Sequence, residues 1–137
     1  MSLVIDASAA LARVYPEETT AAIEAVFLMV ADEGAWVPTL WRVEVANVLS
    51  LGVRRGRVTT SRRERALADL ADLPILEDAE TGTHAWGRTI ALADAHKLTV
   101  YNATYLELAV RLSLPLATLD EDLRGAAARE GIPLLGK

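Results

Sequence analysis

Three acidic residues that are far apart in the sequence occupy positions from which their side chains could share one site. Asp6 follows the apolar run 3–5, and Asp120 follows the apolar segment 114–118. Glu44 lies in a mostly apolar helical segment, where a carboxylate is costly to bury unless it is paired or bound to a cation. Clustered carboxylates repel one another unless a cation neutralises them, and oxygen ligands favour Mg²⁺ or Mn²⁺. The three residues therefore predict an acidic metal site suited to phosphoryl chemistry.

These positions also have purely structural explanations. Asp6 could do no more than cap the helix that begins at Ala7, and Glu44 could be a partly exposed bystander on its helix. Other metal chemistries are not expected, because the chain has no cysteine and because His84 and His96 lie away from every predicted strand end. The spacing by itself predicts a metal-dependent acidic site on an α/β fold.

The elements that must position these residues alternate between short apolar runs and longer helical patterns. Strands are predicted at 3–5, 35–38, 74–77, 114–118 and 132–135, and helices at 17–32, 39–52, 59–73, 81–97, 100–112 and 120–130. Strands separated by helices are typical of an α/β fold with a mainly parallel sheet. Right-handed crossovers place the carboxyl ends of such strands at one edge. Asp6 and Asp120 therefore converge if the strands before them are neighbours.

Some helices carry more apolar surface than one core face requires. Exposed surface of this kind marks interaction sites, and burial in the chain's own core is the alternative. The extra apolar residues are Leu28, Met29 and Val30 in the helix 17–32 and Trp41, Val45 and Leu49 in the helix 39–52. Inward-facing stripes are predicted to comprise Trp86, Ile90 and Ala93 in the helix 81–97 and Tyr101, Tyr105, Leu108 and Leu112 in the helix 100–112.

Composition and charge restrict the class of protein. The 137 residues are 52% hydrophobic and 24% charged, which is ordinary for one globular domain spanning 1–137. The N-terminus lacks a basic region, and no apolar stretch is long enough for a membrane span, so a cytoplasmic protein is expected. The net charge of −5 argues mildly against general coating of nucleic acid. It does not argue against a nuclease, because a metal-binding pocket is itself acidic.

Six arginines lie within twelve positions, from Arg54 to Arg65. Arg54, Arg55 and Arg57 are candidates for contact with RNA phosphates, where each would contribute through counterion release. The alternative is a pair of solvated helices whose charges aid solubility or meet an acidic partner.

The ordered set of motifs resembles PIN-domain proteins, specifically VapC-type toxin ribonucleases of type II toxin–antitoxin pairs. The resemblance lies in segments 4–8, 41–49, 98–109, 118–120 and 131–135, each of which is weak alone but specific as an ordered set. It implies a parallel sheet of order 3-2-1-4-5, Mg²⁺-dependent (or Mn²⁺-dependent) cleavage of RNA, a homodimer and a VapB-type antitoxin as partner.

The same resemblance implies roles for individual residues. Asp6, Glu44 and Asp120 become members of the acidic pocket, with Ser8 and Asp122 as secondary members. Asp122 has the alternative of being a solvated acid in the first turn of a helix. Asn102 departs from the pattern, because it stands where the family usually has Asp. Its amide oxygen can still ligate a metal, but one negative charge is lost, which puts the activity of this chain in question.

Two other functions compete with this interpretation. A catalytically silent binding module, which keeps the fold and the partner surface without turnover, would explain Asn102. A phosphatase or phosphotransferase of the haloacid-dehalogenase type would need a second Asp two residues after Asp6, where this chain has Ser8. Restoring Asp at position 102 and assaying RNA cleavage would separate the binding module from the enzyme.

Overall fold

The computed structural model describes residues 2–137 and contains a five-stranded parallel sheet flanked by helices. The strands are β1 Leu3–Ile5, β2 Ala35–Val37, β3 Ile75–Glu77, β4 Leu116–Ala117 and β5 Leu134–Leu135. The helices are α1 Ala7–Ala10, α2 Ala21–Glu33, α3 Trp41–Arg54, α4 Thr60–Ala71, α5 Thr81–Ala85, α6 Arg88–His96, α7 Val100–Leu112 and α8 Glu121–Arg129. A short 3₁₀ helix at Pro16–Glu18 precedes α2.

The sheet has the strand order β3-β2-β1-β4-β5, with every neighbouring pair parallel. The central strand β1 pairs Val4 with Trp36 of β2 on one side and with Leu116 of β4 on the other. All three residues of β1 are fully buried, because helices cover a central parallel strand on both faces. The expected sheet order is confirmed, and the adjacent strands β1 and β4 bring Asp6 and Asp120 to the same edge.

Polar side chains fix where several helices begin. Thr20, Thr59 and Thr99 each accept a hydrogen bond from a backbone N–H in the first turn of α2, α4 and α7, respectively. Asp6 and Asp120 do the same for α1 and α8. Such caps satisfy donors that a helix leaves unpaired at its N-terminus. The two acids at the strand ends are therefore structural caps as well as candidate site residues.

The predicted helix 81–97 is wrong as a single element. It is divided into α5 and α6 at Gly87, whose backbone angles of φ −115° and ψ −99° interrupt the helix. Trp86 at this break is 93% exposed and Ile90 is 40% exposed, so only Ala93 of the predicted inward stripe is buried. The inward stripe was predicted wrongly because the 3.6-residue period was continued across the break between α5 and α6.

Two further expectations about apolar surfaces need correction. Tyr101 is 66% exposed, because the first turn of α7 projects beyond the buried run 103–109. Trp41, Val45 and Leu49 are buried, so they add no exposed apolar face, although Trp41 and Val45 line part of a groove of about 250 Å³ between α3 and α4. Of the three extra apolar residues predicted in α2, only Leu28 is strongly exposed, whereas Val30 is fully buried.

None of the helices within residues 2–137 has the length and apolar character needed to cross a bilayer.

Candidate active site

Asp6 lies at the carboxyl end of β1 and is the most enclosed of the candidate residues, with only 5% of its surface exposed. Its Oδ1 atom accepts hydrogen bonds from the Ser8 hydroxyl at 2.6 Å and from the Ala9 backbone N–H at 2.9 Å. Its Oδ2 atom accepts from the Thr118 hydroxyl at 2.5 Å. Three donors from two neighbouring strand ends thus fix the orientation of this carboxylate.

The two hydroxyls that hold Asp6 are themselves held by the backbone after β4. The Leu119 N–H donates to Ser8 Oγ at 2.9 Å, and the Asp120 N–H donates to Thr118 Oγ1 at 3.0 Å. Ser8, which the family resemblance placed in the pocket, does contact Asp6. Thr118 was missed, although a polar residue directly after a buried strand and two positions before an acid was a usable signal.

The electrostatics of Asp6 are dominated by its burial, with a smaller contribution from Asp120. Burial raises the pKa of Asp6, and repulsion from the Asp120 carboxylate raises it further. The hydrogen bonds from Ser8, Thr118 and Ala9 oppose this rise without cancelling it. A cation between the two carboxylates would relieve the repulsion.

Asp120 is the N-cap of α8, where Oδ1 accepts a hydrogen bond from the Leu123 N–H at 2.9 Å. Its second carboxylate oxygen has no hydrogen-bond partner within residues 2–137. Asp122 lies exposed in the first turn of the same helix, as a solvated acid favoured by the helix dipole would.

Glu44 lies in the first turn of α3 and is half-buried. Its Oε1 atom accepts a hydrogen bond from the hydroxyl of Tyr105 at 2.5 Å. Burial and the Glu44 carboxylate raise the pKa of Tyr105, and Asp6 contributes a smaller repulsion of the same sign. Tyr105 had been predicted only as a core residue, yet its hydroxyl connects the surroundings of Asp6 to Glu44.

Asn102 is the third residue of α7, and its backbone N–H donates to the capping hydroxyl of Thr99 at 3.1 Å. Thr99 is therefore the N-cap, so Asn102 is not explained as a capping residue. The Asn102 side chain is half-buried and has no hydrogen-bond partner in the described part of the chain. It is one helix turn before Tyr105, which has its hydroxyl on Glu44.

The donor set at this edge suits a hard divalent cation, because every candidate ligand is an oxygen. Glu44, Asn102 and Asp120 each retain a side-chain oxygen without a protein partner, and carboxylate oxygens such as those of Asp6 have spare acceptor capacity. Across residues 2–137, however, no three acidic or histidine side chains are already grouped closely enough to hold a metal ion. The four-residue metal site remains a prediction.

The arginines predicted to contact RNA have different surroundings. Arg57 donates to Glu17 at 2.6 Å and stacks over the Tyr15 ring at 4.5 Å. Arg54 and Arg55, at the end of α3, are exposed and have no ion-pair partner in residues 2–137. Only these two are therefore available to meet an external anion.

Comparison with known proteins gives consistent results. A family model described as PIN domain matches residues 3–129. Ribonuclease VapC3 from Pyrobaculum aerophilum is 33% identical over 128 residues, which cover 90% of this chain and 92% of that protein. The crystal structure of PAE2754 from Pyrobaculum aerophilum matches with a TM-score of 0.66 and 26% identity, over 98% of this chain and 92% of that chain. FitAcB from Neisseria gonorrhoeae has a similar fold, with a TM-score of 0.64, 15% identity and coverage of 98% and 96%.

Proposed function

Because the chain belongs to the PIN domain family, we propose that it is a Mg²⁺- or Mn²⁺-dependent endoribonuclease toxin of a VapBC-type toxin–antitoxin pair. The observation that carries this proposal is the buried carboxylate of Asp6, held at the carboxyl end of the central strand beside the repelling carboxylate of Asp120. Buried carboxylates with shifted pKa values are common in functional sites. The ribonuclease relative, 33% identical across almost the whole chain, supports RNA as the substrate.

Asp6, Glu44, Asn102 and Asp120 would hold the cation through oxygen atoms. When bound, a divalent cation of this kind supplies an activated water and neutralises charge that develops on a phosphodiester. The protein's own part is to orient the ligands. Ser8 and Thr118 keep Asp6 from rotating, and the cap bond to Leu123 restrains Asp120.

A catalytically silent binding module is the second candidate, and the neutral side chain of Asn102 favours it. With Asn at this position the predicted ligand set has three carboxylates instead of four. A weaker attraction for the cation would lower turnover while leaving the fold and the partner surfaces intact.

The Asp6→Asn variant tests the proposed metal site. We expect Mn²⁺ affinity, measured by calorimetry, to fall roughly tenfold or more, because the most central charge is removed from the ligand set. Any cleavage of structured RNAs should disappear with it. Asp94→Asn is a matched control, since Asp94 is an exposed acid on α6. Unchanged Mn²⁺ affinity in Asp6→Asn would refute this location for the site.

Arg54 and Arg55 are proposed to contact the RNA backbone. Arg54 is the last residue of α3, ten residues after Glu44 and about 15 Å further along the helix axis, and Arg55 follows it as the C-cap. Their lack of protein partners leaves both guanidinium groups free to pair with phosphates, whereas Arg57 is engaged by Glu17 and Tyr15.

An antitoxin helix is proposed to bind in a groove between α1, α2 and α4 rather than beside Trp41. The groove has a volume of about 280 Å³ and an apolar floor that includes Ala10, Phe27 and Leu70. Arg65 lines it, is exposed and has no ion-pair partner within residues 2–137. An amphipathic helix with apolar anchors and one acid facing Arg65 fits this combination. A basic side chain beyond that helix would be attracted to the acidic pocket.

The proposed assembly also includes a homodimer. Within residues 2–137, five large apolar side chains are more than half exposed: Leu28, Val43, Leu76, Trp86 and Tyr101. Exposed Trp and Tyr are the side chains that most often anchor protein interfaces. Burial of Trp86 against a second copy would remove the largest of these apolar surfaces from water.

A further inference from the structure

We propose that Tyr105 is a positioning residue that holds one oxygen of Glu44 by a hydrogen bond, so that Glu44 meets a cation mainly through its other oxygen. This inference rests on the proposed metal site, but its first consequence concerns the metal-free protein. The inference is carried by the hydrogen bond between Tyr105 on α7 and Glu44 on α3, which lie 61 positions apart in the sequence.

The contact has the geometry of a strong hydrogen bond. Tyr105 OH lies 2.5 Å from Glu44 Oε1, at the short end of the range of about 2.5–2.7 Å for a hydroxyl that donates to a carboxylate. Tyr105 is only 1% exposed, so its ring is fixed by packing and its hydroxyl cannot turn to solvent. The donor is therefore preorganised and Glu44 adapts to it.

Glu44 has no alternative partner in residues 2–137. The neighbouring Arg42 pairs with Glu77 at 3.0 Å, and the other hydrogen bonds of α3 that lie near Glu44 are those of the helix backbone. A glutamate side chain has high rotamer freedom, which an isolated half-buried carboxylate would keep. The hydroxyl of Tyr105 removes that freedom.

Occupying Oε1 also affects which cation the site prefers. Ca²⁺ sites commonly use a glutamate through both oxygens, whereas Mg²⁺ requires a compact octahedral shell that suits one oxygen for each carboxylate. With Oε1 occupied by Tyr105, only Oε2 of Glu44 is without a protein partner. The hydrogen bond uses one of the two lone pairs of Oε1 and fixes the carboxylate plane, so it disfavours the two-oxygen binding that Ca²⁺ commonly uses relative to binding of the smaller cations.

The first experiment uses the metal-free protein. The carboxyl ¹³C resonance of Glu44 should move in Tyr105→Phe, which deletes only the hydroxyl. Tyr101→Phe is the matched control, because Tyr101 is one turn earlier on α7, is 66% exposed and has no hydrogen bond to a carboxylate. An unmoved Glu44 resonance would overturn the proposal, whether or not the protein binds metal.

The second experiment compares Mn²⁺ with Ca²⁺ by calorimetry. In Tyr105→Phe we expect the Mn²⁺ dissociation constant to rise about 3–10-fold, and the preference for Mn²⁺ over Ca²⁺ to fall by at least as much. If Tyr105 had only a structural role, Tyr105→Phe would weaken the binding of both cations by the same factor. That result would overturn the selectivity argument. Absence of Mn²⁺ binding in the parent chain would refute the proposed function instead, while the resonance test would still decide the role of Tyr105.

A second variant covers the case in which Tyr105→Phe does not fold. Glu44→Gln replaces the acceptor and keeps the size of the side chain. It should move the ring ¹³Cζ resonance of Tyr105 and leave that of Tyr101 in place. If neither tyrosine resonance moves, the two side chains are not hydrogen-bonded in solution and the proposal fails.

Discussion

At position 102 this chain has Asn where the resemblance to PIN-domain proteins implies Asp, so one nitrogen stands in place of one oxygen. Asn102 occupies the third position of α7, where its backbone is held by Thr99. An acid at this position is compatible with the helix, since the N-terminal turn favours negative charge. The fold therefore gives no reason for Asn over Asp, and the effect of the exchange falls on the candidate metal site.

We predict that Asn102→Asp strengthens Mg²⁺ binding by roughly tenfold or more, because it adds a charge and a second ligating oxygen. RNA cleavage should rise strongly, and expression without an antitoxin should arrest growth. Calorimetry and a cleavage assay check the two parts. Asn47→Asp, the same substitution at an exposed position of α3, should have a much smaller effect. If Asn102→Asp gains neither affinity nor activity, residue 102 lies outside the site.

At the scale of the elements, a buried network of charged side chains links α7 to the residue that follows β3. The sequence analysis did not predict this network. Arg111 donates to Asp78 at 2.6 Å and to Glu107 at 2.9 Å, and the side chains of these two acids are only 7% and 3% exposed. Burial by itself raises the pKa of Asp78, but hydrogen bonds from Arg111 and from the Glu80 backbone outweigh it and hold the pKa below its usual range. The hydrogen bonds to Glu107 and to Asp78 raise the pKa of Arg111.

Arg111→Met is predicted to lower the free energy of unfolding by about 3–5 kcal/mol at neutral pH, because it leaves Asp78 and Glu107 buried without a counterion. Urea unfolding measures the loss. Arg42→Met is the matched control, since its ion pair with Glu77 is 74% and 40% exposed, and it should change stability by less than about 1 kcal/mol.

The pH dependence of this loss provides an independent check. The folded-state pKa of Asp78 is lowered, so in the parent chain its stabilisation is present above the usual aspartate pKa and is lost as the pH falls. In Arg111→Met the buried acids can take up protons and lose their penalty at low pH. Because burial without Arg111 raises the pKa of Asp78, the difference between the two proteins should begin to narrow above the usual aspartate pKa of about 4 and narrow further as the pH falls below it. A pH-independent difference would contradict the electrostatic explanation.

At the scale of the whole molecule, exposed arginines with neither an ion-pair nor a side-chain hydrogen-bond partner lie in three places within residues 2–137, although the net charge is −5. One of them, Arg88 on α6, is assigned to no ligand. Arg54 and Arg55 end α3, whereas Arg65 lines the groove between α2 and α4. The proposed function assigns the first pair to RNA and Arg65 to the antitoxin. The two assignments can be separated, because the side chains lie on different helices.

Charge reversal at each place is expected to affect one ligand only. Arg54→Glu with Arg55→Glu should weaken RNA binding and reduce the slope of log affinity against log salt by about 1.4 for two phosphate contacts to a single strand. Arg65→Glu should weaken binding of the antitoxin helix and leave the RNA slope unchanged. Titrations of both ligands at several salt concentrations measure this, and each variant is the control for the other. Equal effects on both ligands would contradict the assignment.

The strands and the positions of the acids at their ends follow from the pattern of the sequence. Short apolar runs between helices fix which segments become strands, and parallel strands with right-handed crossovers fix the edge at which they end. Asp6 and Asp120 were for this reason predictable at one edge, as the structure places them. The hydrogen bond by which Asp6 caps α1 is local, so the sequence predicted this role as well.

Which faces are covered and which polar atoms meet depends on how the elements pack in three dimensions. A period of 3.6 residues identifies side chains that share a face, but it does not say what packs against that face, so Trp86 and Tyr101 were placed in the core although they are exposed. The bonds from Tyr105 to Glu44 and from Thr118 to Asp6 span 61 and 112 positions. Hydrogen bonds act over about 3 Å, and no sequence pattern specifies distances between elements that finely.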